Sequence, residues 1–229
     1  MSGPLNVVAI LPAYNLEKSI AAIVERTKPF VRTVLVVADG SKDGTAAAAR
    51  AAGALVPEAE LVRGKGFAII KGIEESRKLD PDVVILMDSD GQHLPEEIPV
   101  MLKPLEEGRA DLVSGSRMLG TLRTSRINVI GNWGLRILSF LVTWRWLTDT
   151  ETGYRAFRAQ ALYAIPLKSR GYEIESELML RAMYRKLRIV EVPITVPFAV
   201  PGVTVWDGFK VGWYKIRMGL RFRFGLEPA

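Results

Sequence analysis

Along the first half of the chain, uninterrupted apolar runs alternate with segments whose apolar residues recur at helical spacing. NVVAILPA (6–13), RTVLVVADG (32–40) and DVVILMD (82–88) are rich in valine, isoleucine and leucine, and ADLVSGSR (110–117) carries a shorter apolar stretch ahead of its small and polar residues. A strand with that pattern is covered on both faces, as in a parallel sheet. Between them, KSIAAIVERTKPF (18–30) spaces Ile20, Ile23 and Val24 along one helix face. SKDGTAAAARAAG (41–53) opens on helix-capping residues and closes on glycine. GKGFAIIKGIEESRKL (64–79) and PEEIPVMLKPLEEG (95–108) continue the helices, and ALVPEAELV (54–62) offers a further short strand. This alternation predicts an α/β fold, a Rossmann-like and mostly parallel sheet with helices on both faces.

After residue 117 the pattern changes. A basic, apolar pair of helices is expected over about 126–147, followed by TDTETGYRAF (148–157), which is assigned to no element. EIESELMLRAMYRK (173–186) reads as a helix and LRIVEVPITVPF (187–198) as a strand, with a basic aromatic segment at the end. No internal repeat and no low-complexity linker interrupts the chain, so the second half is expected to be layered on the same domain.

Ligands of parallel sheets bind at the carboxyl ends of the strands. Those ends carry Tyr14–Asn15, Asp39–Gly40–Ser41, Asp88–Ser89–Asp90 and Gly115–Ser116–Arg117. Asp88 and Asp90 occupy alternate positions, and Gln92 adds another oxygen, so the stretch suits a hard cation. It also suits a simple turn, because Asp-Gly and Ser are turn formers. Asp39 can accept hydrogen bonds from a nucleobase or ribose, while Ser41 and Asp43 can cap the helix that follows. RGKGF (63–67) puts Lys65 in a glycine turn from which it can reach a phosphate. His93, the single histidine, has no Gly-x-Ser-x-Gly partner and reads as a neighbour of the metal or as an ordinary polar residue. Glu173 and Glu177 share a helix face with Glu175 turned away: a solvated helix start, or a general base.

Composition narrows these readings. The 229 residues are 48% hydrophobic and contain no cysteine, which excludes disulfides and thiolate chemistry. The N-terminus lacks the charge and cleavage pattern of a signal peptide, and the longest apolar candidate, ILSFLVTWRWL (137–147), is short and contains Arg145. The net charge of +6 is concentrated. Residues 117–148 carry Arg117, Arg123, Arg126, Arg136 and Arg145 without an acid, and residues 208–226 carry Lys210, Lys215, Arg217, Arg221 and Arg223 without an acid. Basic segments interleaved with aromatics point to a phosphate-bearing partner. WDGFKVGWYKIRMGLRFRFG (206–225) fits an interfacial amphipathic helix with Trp213, Ile216 and Leu220 on its apolar stripe, or else a helix packed on the domain with a basic outer face.

Taken in order, PAYN (12–15), VVADGSKDGT (36–45), GKG (64–66), DSDGQH (88–93), GSR (115–117), TGYRAF (152–157) and RIVEVPI (188–194) resemble the family 2 glycosyltransferases of GT-A fold. The resemblance is most marked to the polyprenyl-phosphate sugar synthases, the dolichyl-phosphate mannose synthases among them. It implies one GT-A domain, with a nucleotide-sugar half (1–117), an acceptor half (118–204) and the basic amphipathic segment (205–229). It implies that Pro12, Tyr14 and Asp39 hold the nucleoside, with Glu17, Val37, Lys65, Asp88 and Ser89 completing the donor site. Asp88, Asp90 and Gln92 would ligate Mg²⁺ or Mn²⁺. Arg117, Arg123, Arg126, Tyr154 and Arg155 would face the acceptor, with Asp90, Arg117 and Arg126 the catalytic set. Three positions depart from the family pattern: Ala38 stands where a second aspartate is usual, Leu16 where an acid follows the Tyr-Asn pair, and Val129 where a serine is frequent.

The implied reaction is metal-dependent transfer of a hexose with inversion, mannose from GDP-mannose first and glucose from UDP-glucose second. The implied acceptor is a polyprenyl phosphate, met by a peripheral protein on the cytoplasmic face of a membrane. A phosphate acceptor is already anionic and needs no strong base; a hydroxyl acceptor would call on Glu175 or Glu177. A nucleotidyltransferase would want a glycine-rich loop after the first strand, which LPAYNLE lacks. A nucleic-acid binder would leave the Asp-x-Asp without a role, so no nucleic-acid partner is expected. A relative that binds nucleotide sugar without activity is the non-enzymatic alternative.

Overall fold

The computed structural model describes residues 4–38, 40–58, 64–120, 126–197 and 205–227. Its first half follows the apolar runs. Strand β1 (Val7–Pro12), helix α1 (Ile20–Thr27), β2 (Thr33–Val37), α2 (Thr45–Ala51), α3 (Lys65–Ser76), β3 (Val83–Leu86), α4 (Ile98–Glu106) and β4 (Leu112–Ser116) come in that order. The second half adds α5 (Arg126–Thr143), β5 (Arg155–Arg158), α6 (Ala159–Tyr163), α7 (Ile174–Tyr184), β6 (Ile189–Pro193) and α8 (Val205–Arg223).

The strands form one six-stranded sheet in the order β2-β1-β3-β5-β4-β6. All pairings are parallel except those of β5, which runs antiparallel between β3 and β4. Alternate residues of each strand enter separate cores. Val7, Ala9, Leu11, Val83 and Ile85 pack with Ile20, Val24, Ile98 and Met101 from α1 and α4. Val8, Ile10, Val84, Leu86 and Phe157 pack with Ile69, Ile73, Leu178 and Ala182 from α3 and α7. Strands β1 and β3 are therefore apolar at every position, as the sequence pattern requires.

Three expectations change. The strand expected over 54–62 reduces to an isolated bridge between Leu35 and Leu55, with residues 59–63 outside the described residues. The unassigned RAFR stretch is a central strand, concealed because arginines flank its two apolar residues. The helix pair expected over 126–147 is the single helix α5, followed by Trp144 in the left-handed region at φ 56°. Its packing partner is α8, and a Cβ on Gly219 of α8 would lie 2.4 Å from Val142, so the two helices approach closely there. Among the described residues no helix is long and apolar enough to cross a membrane.

Candidate active site

The carboxyl ends of β1, β2, β3 and β4 open on one sheet edge. Because β5 is antiparallel, the loop that enters it, Thr152–Gly153–Tyr154, reaches the same edge. After β1, Asn15 adopts φ 52° and ties two loops together. Its backbone N–H donates to Ser41 Oγ at 3.1 Å, and its side-chain oxygen accepts the Lys42 N–H at 3.0 Å. Leu16 N–H donates to Thr45 Oγ1 at 2.7 Å, and Glu17 N–H to Asp43 at 3.1 Å. Asp43 also accepts the Thr45 N–H, as a helix-start residue should, whereas Ser41 serves the Asn15 loop instead. Tyr14 is left half exposed above this frame, and the Glu17 carboxylate lies across Gly44. Asp39 falls outside the described residues.

Beneath the Asp-x-Asp lies an ionic cluster that the sequence did not reveal. Lys65 Nζ is 2.7 Å from Asp88 Oδ1 and 3.1 Å from Glu175 Oε1. Arg155 Nη1 is 3.0 Å from Glu175 Oε2 and also donates to the Glu175 carbonyl at 2.9 Å. Burial alone would push the Asp88 carboxyl up, but Lys65 and Arg155 outweigh it and hold it below the usual range. For Lys65, burial works against the charge, and Asp88 and Glu175 win, raising it above an ordinary lysine. His93 is pushed down, chiefly by burial, and is neutral at physiological pH. Its Nδ1 accepts the Asp88 backbone N–H at 3.1 Å, and its ring stacks on Tyr154 at 5.0 Å. Gly153 is pressed against Asp88: a Cβ there would lie 2.5 Å from Oδ2.

Several expected ligands prove to be supports. Arg155 is fully buried, with Nη2 donating to the Thr150 carbonyl at 3.0 Å, so it cannot meet an acceptor. Tyr154 is equally enclosed and donates its hydroxyl to the Leu94 carbonyl at 3.0 Å. Val37 is buried, and its carbonyl accepts the Ala13 N–H. Ser89 is buried with its hydroxyl donating to the Pro12 carbonyl. Glu175 and Glu177 are not a solvated helix start: Glu175 joins the ionic cluster, and Glu177 pairs with Arg181 at 2.8 Å with both side chains fully buried. Asp90 is exposed, and its Oδ1 accepts the Gln92 N–H at 2.9 Å.

On the far side of the edge, Arg117 makes a two-pronged pair with Asp149, Nε to Oδ2 at 2.6 Å and Nη2 to Oδ1 at 2.8 Å. This leaves its other N–H donors for an incoming anion. Arg126 opens α5, and Arg123 lies outside the described residues. Next to Asp149, Glu151 is clamped by Lys215 of α8, whose Nζ lies 2.5 Å from Oε1 and also donates to Ser139 Oγ at 2.6 Å and Thr150 Oγ1 at 3.1 Å. Lys215, one of the bases that the sequence assigns to a segment seeking a phosphate-bearing partner, is thus buried and joins α5, α8 and the loop that holds Arg117.

Residues 8–165 match the family model described as Glycosyl transferase family 2. The chain belongs to that family. It is 34% identical to the undecaprenyl-phosphate mannosyltransferase of Micrococcus luteus, over 97% of this glycosyltransferase and 100% of that one. It is 34% identical to the polyprenol monophosphomannose synthase of Mycolicibacterium smegmatis, covering 92% of this chain and 87% of that one. It is 30% identical to the UDP-N-acetylglucosamine–dolichyl-phosphate N-acetylglucosaminyltransferase of Methanococcus voltae, covering 91% and 94%. Among solved structures, glucosyl-3-phosphoglycerate synthase of Mycobacterium tuberculosis, in complex with Mn²⁺, UDP and glucosyl-3-phosphoglycerate, superposes with a TM-score of 0.73 at 23% identity. That match covers 98% of this chain and 82% of that one and carries the GT-A fold.

The donor set of this glycosyltransferase fits a divalent ion shared with a ligand. Asp88, Asp90 and Gln92 offer only oxygens, the chemistry that Mg²⁺ and Mn²⁺ prefer. No group of three acidic, histidine or cysteine side chains converges among the described residues, so the protein makes no closed cage. One or two carboxylates completed by substrate phosphates is the usual arrangement for Mg²⁺.

Proposed function

We propose that the protein is a metal-dependent, inverting hexosyltransferase that moves mannose from GDP-mannose to a polyprenyl phosphate at a membrane surface. The observation that carries this reading is the meeting, on one sheet edge, of Asp88–Asp90 and Arg117. The first pair suits a nucleotide diphosphate with its ion, and the second an anionic acceptor. The relatives named for mannosyl transfer to polyprenyl carriers support the choice of sugar and acceptor. The relative named for a UDP sugar makes a uridine donor the second reading.

In this reading Tyr14, Glu17 and Asp39 line the nucleoside side. Asp90, with Gln92 beside it, is the exposed carboxylate toward the diphosphate. An ion bound there supplies positive charge that stabilises the departing diphosphate. Arg117, fixed by Asp149, and Arg126 at the start of α5 receive the acceptor phosphate. A phosphate oxygen attacks the anomeric carbon from the face opposite the nucleotide, and the bond to the diphosphate breaks with its electron pair leaving on the diphosphate. The configuration inverts. No side chain has to remove a proton, in keeping with Glu175 being locked between Lys65 and Arg155.

The exposed aromatic surface supports a peripheral position on a membrane. Trp133, Trp144 and Trp146 at α5 and beyond it, with Phe209, Trp213, Leu220 and Phe224 around α8, are all more than half exposed. Arg217 and Arg223 accompany them, a pairing suited to anionic headgroups. Calorimetric titration with GDP, GDP-mannose, UDP and UDP-glucose, each with Mn²⁺ and with a chelator, tests the donor. Metal-dependent binding of the guanosine pair is expected. Binding of the uridine pair alone would move the reading to a UDP sugar, and binding of none would leave a relative without this donor.

A further inference from the structure

Two acids and two bases interlock below the Asp-x-Asp: Asp88 and Glu175 against Lys65 and Arg155. Two carboxylates against two cations leave this set of four without net charge. Lys65 Nζ sits on Asp88 Oδ1 at 2.7 Å, while Gly153 crowds Oδ2. One oxygen of the inner aspartate is therefore already held by a cation, and the other is crowded by backbone. Asp90 remains exposed and makes no ion pair among the described residues. A single exposed carboxylate with one amide oxygen nearby holds a divalent ion weakly unless a diphosphate supplies more oxygens.

We propose that Lys65 is a built-in counter-ion which keeps the Asp-x-Asp from binding a divalent cation until a nucleotide diphosphate brings further ligands, so that ion and donor enter together. Glu175 is the positioning residue of this device: it holds Lys65 from the side away from Asp88 and keeps the cluster neutral. Lys65 thus has a different task from the phosphate contact expected of it. The inference rests on the donor-site reading above, and it concerns the order of assembly rather than the identity of the donor.

The test is a Mn²⁺ titration followed by the electron paramagnetic resonance signal of free Mn²⁺, without nucleotide and with GDP or UDP. Wild type should take up Mn²⁺ only with a nucleotide. Lys65→Met leaves the cluster one charge negative and should raise nucleotide-free Mn²⁺ affinity by about tenfold or more. Lys65→Arg keeps the charge and should stay at the wild-type level. Glu175→Gln makes the cluster one charge positive and should weaken Mn²⁺ uptake by the nucleotide-loaded protein, an opposite change that does not depend on how Lys65→Met folds. Nucleotide-free affinity unchanged in Lys65→Met, with normal uptake by nucleotide-loaded wild type, would overturn the counter-ion role alone. Absence of Mn²⁺ uptake by wild type with either nucleotide would overturn the metal-dependent donor site and the counter-ion role together.

Discussion

Replacing Lys215 by methionine tests how strongly the surface helix α8 is tied to the site. Lys215 is about 1% exposed, and its ammonium meets Glu151, Ser139 and Thr150 within 3.1 Å. Methionine keeps most of the volume and removes the charge, so the variant chiefly leaves the Glu151 carboxylate buried without its cation. Burial by itself raises the Glu151 carboxyl, but Lys215, Ser176 and Thr150 bring it down from 4.5 to about 2. At about 1.4 kcal/mol per pH unit this linkage amounts to roughly 3 kcal/mol. Breaking a buried pair from one side typically costs about 3–5 kcal/mol, and the hydrogen bonds Glu151 retains from Ser176 and Thr150 favour the low end. For a chain of 229 residues, each kcal/mol moves Tm by about 2–4 °C, so Tm should fall by about 6–12 °C at neutral pH. The sign with pH follows from the depressed value. The contribution is complete above about 4.5 and is lost as pH falls toward about 2. Calorimetric melts with parallel denaturant titrations from neutral to acid pH read both effects. A Tm within about 1 °C of wild type at neutral pH, or an unaltered acid dependence, would refute the reasoning.

Other substitutions separate the parts of the site. Asp90→Asn should abolish metal-dependent turnover while leaving Tm within about 1 °C, because the side chain is exposed; full activity with Mn²⁺ would remove Asp90 from the metal site. Arg117→Ala should cut transfer to lipid phosphate far more than it weakens nucleotide binding, and equal losses in the two assays would move Arg117 to the donor side. Gly153→Ala sets a Cβ 2.5 Å from Asp88 Oδ2 and should cost about 1–3 kcal/mol together with a loss of donor affinity, read by melts and nucleotide titration.

The legible parts of this protein are those whose signal is local. Strands β1 to β3 rest on continuous apolar runs and β4 opens on a shorter one, so the polar residues at their ends can be placed on one edge from the sequence. Strand β5 was hidden because Arg155 interrupts an apolar pattern, and its burial becomes intelligible only once Glu175 is seen beside it. Glu175 and Glu177 look like a charged helix start by spacing, yet each also takes a partner from another segment, the Lys65 ammonium for Glu175 and the Lys168 backbone N–H for Glu177. Lys215 and Glu151 are 64 positions apart, and a pair at that separation leaves no periodic trace in a single sequence. A lysine on an otherwise apolar helix face, opposite a loop with an acid beside threonines, is the faint signal available. The same blindness explains why Tyr154 and Arg155 read as acceptor ligands from the sequence. Their motif marks the site, but the chain turns their side chains inward and leaves Gly153 to approach Asp88.

The central claim is transfer of a sugar to a lipid phosphate. The most direct test incubates the purified protein with radiolabelled GDP-mannose, Mn²⁺ and anionic vesicles carrying either a polyprenyl phosphate or the same polyprenol without the phosphate, and measures label in the lipid phase. Lipid-linked mannose is expected with the phosphate only, lost on chelation and on Asp90→Asn. Equal labelling of the free alcohol, or undiminished labelling with chelator present, would contradict it.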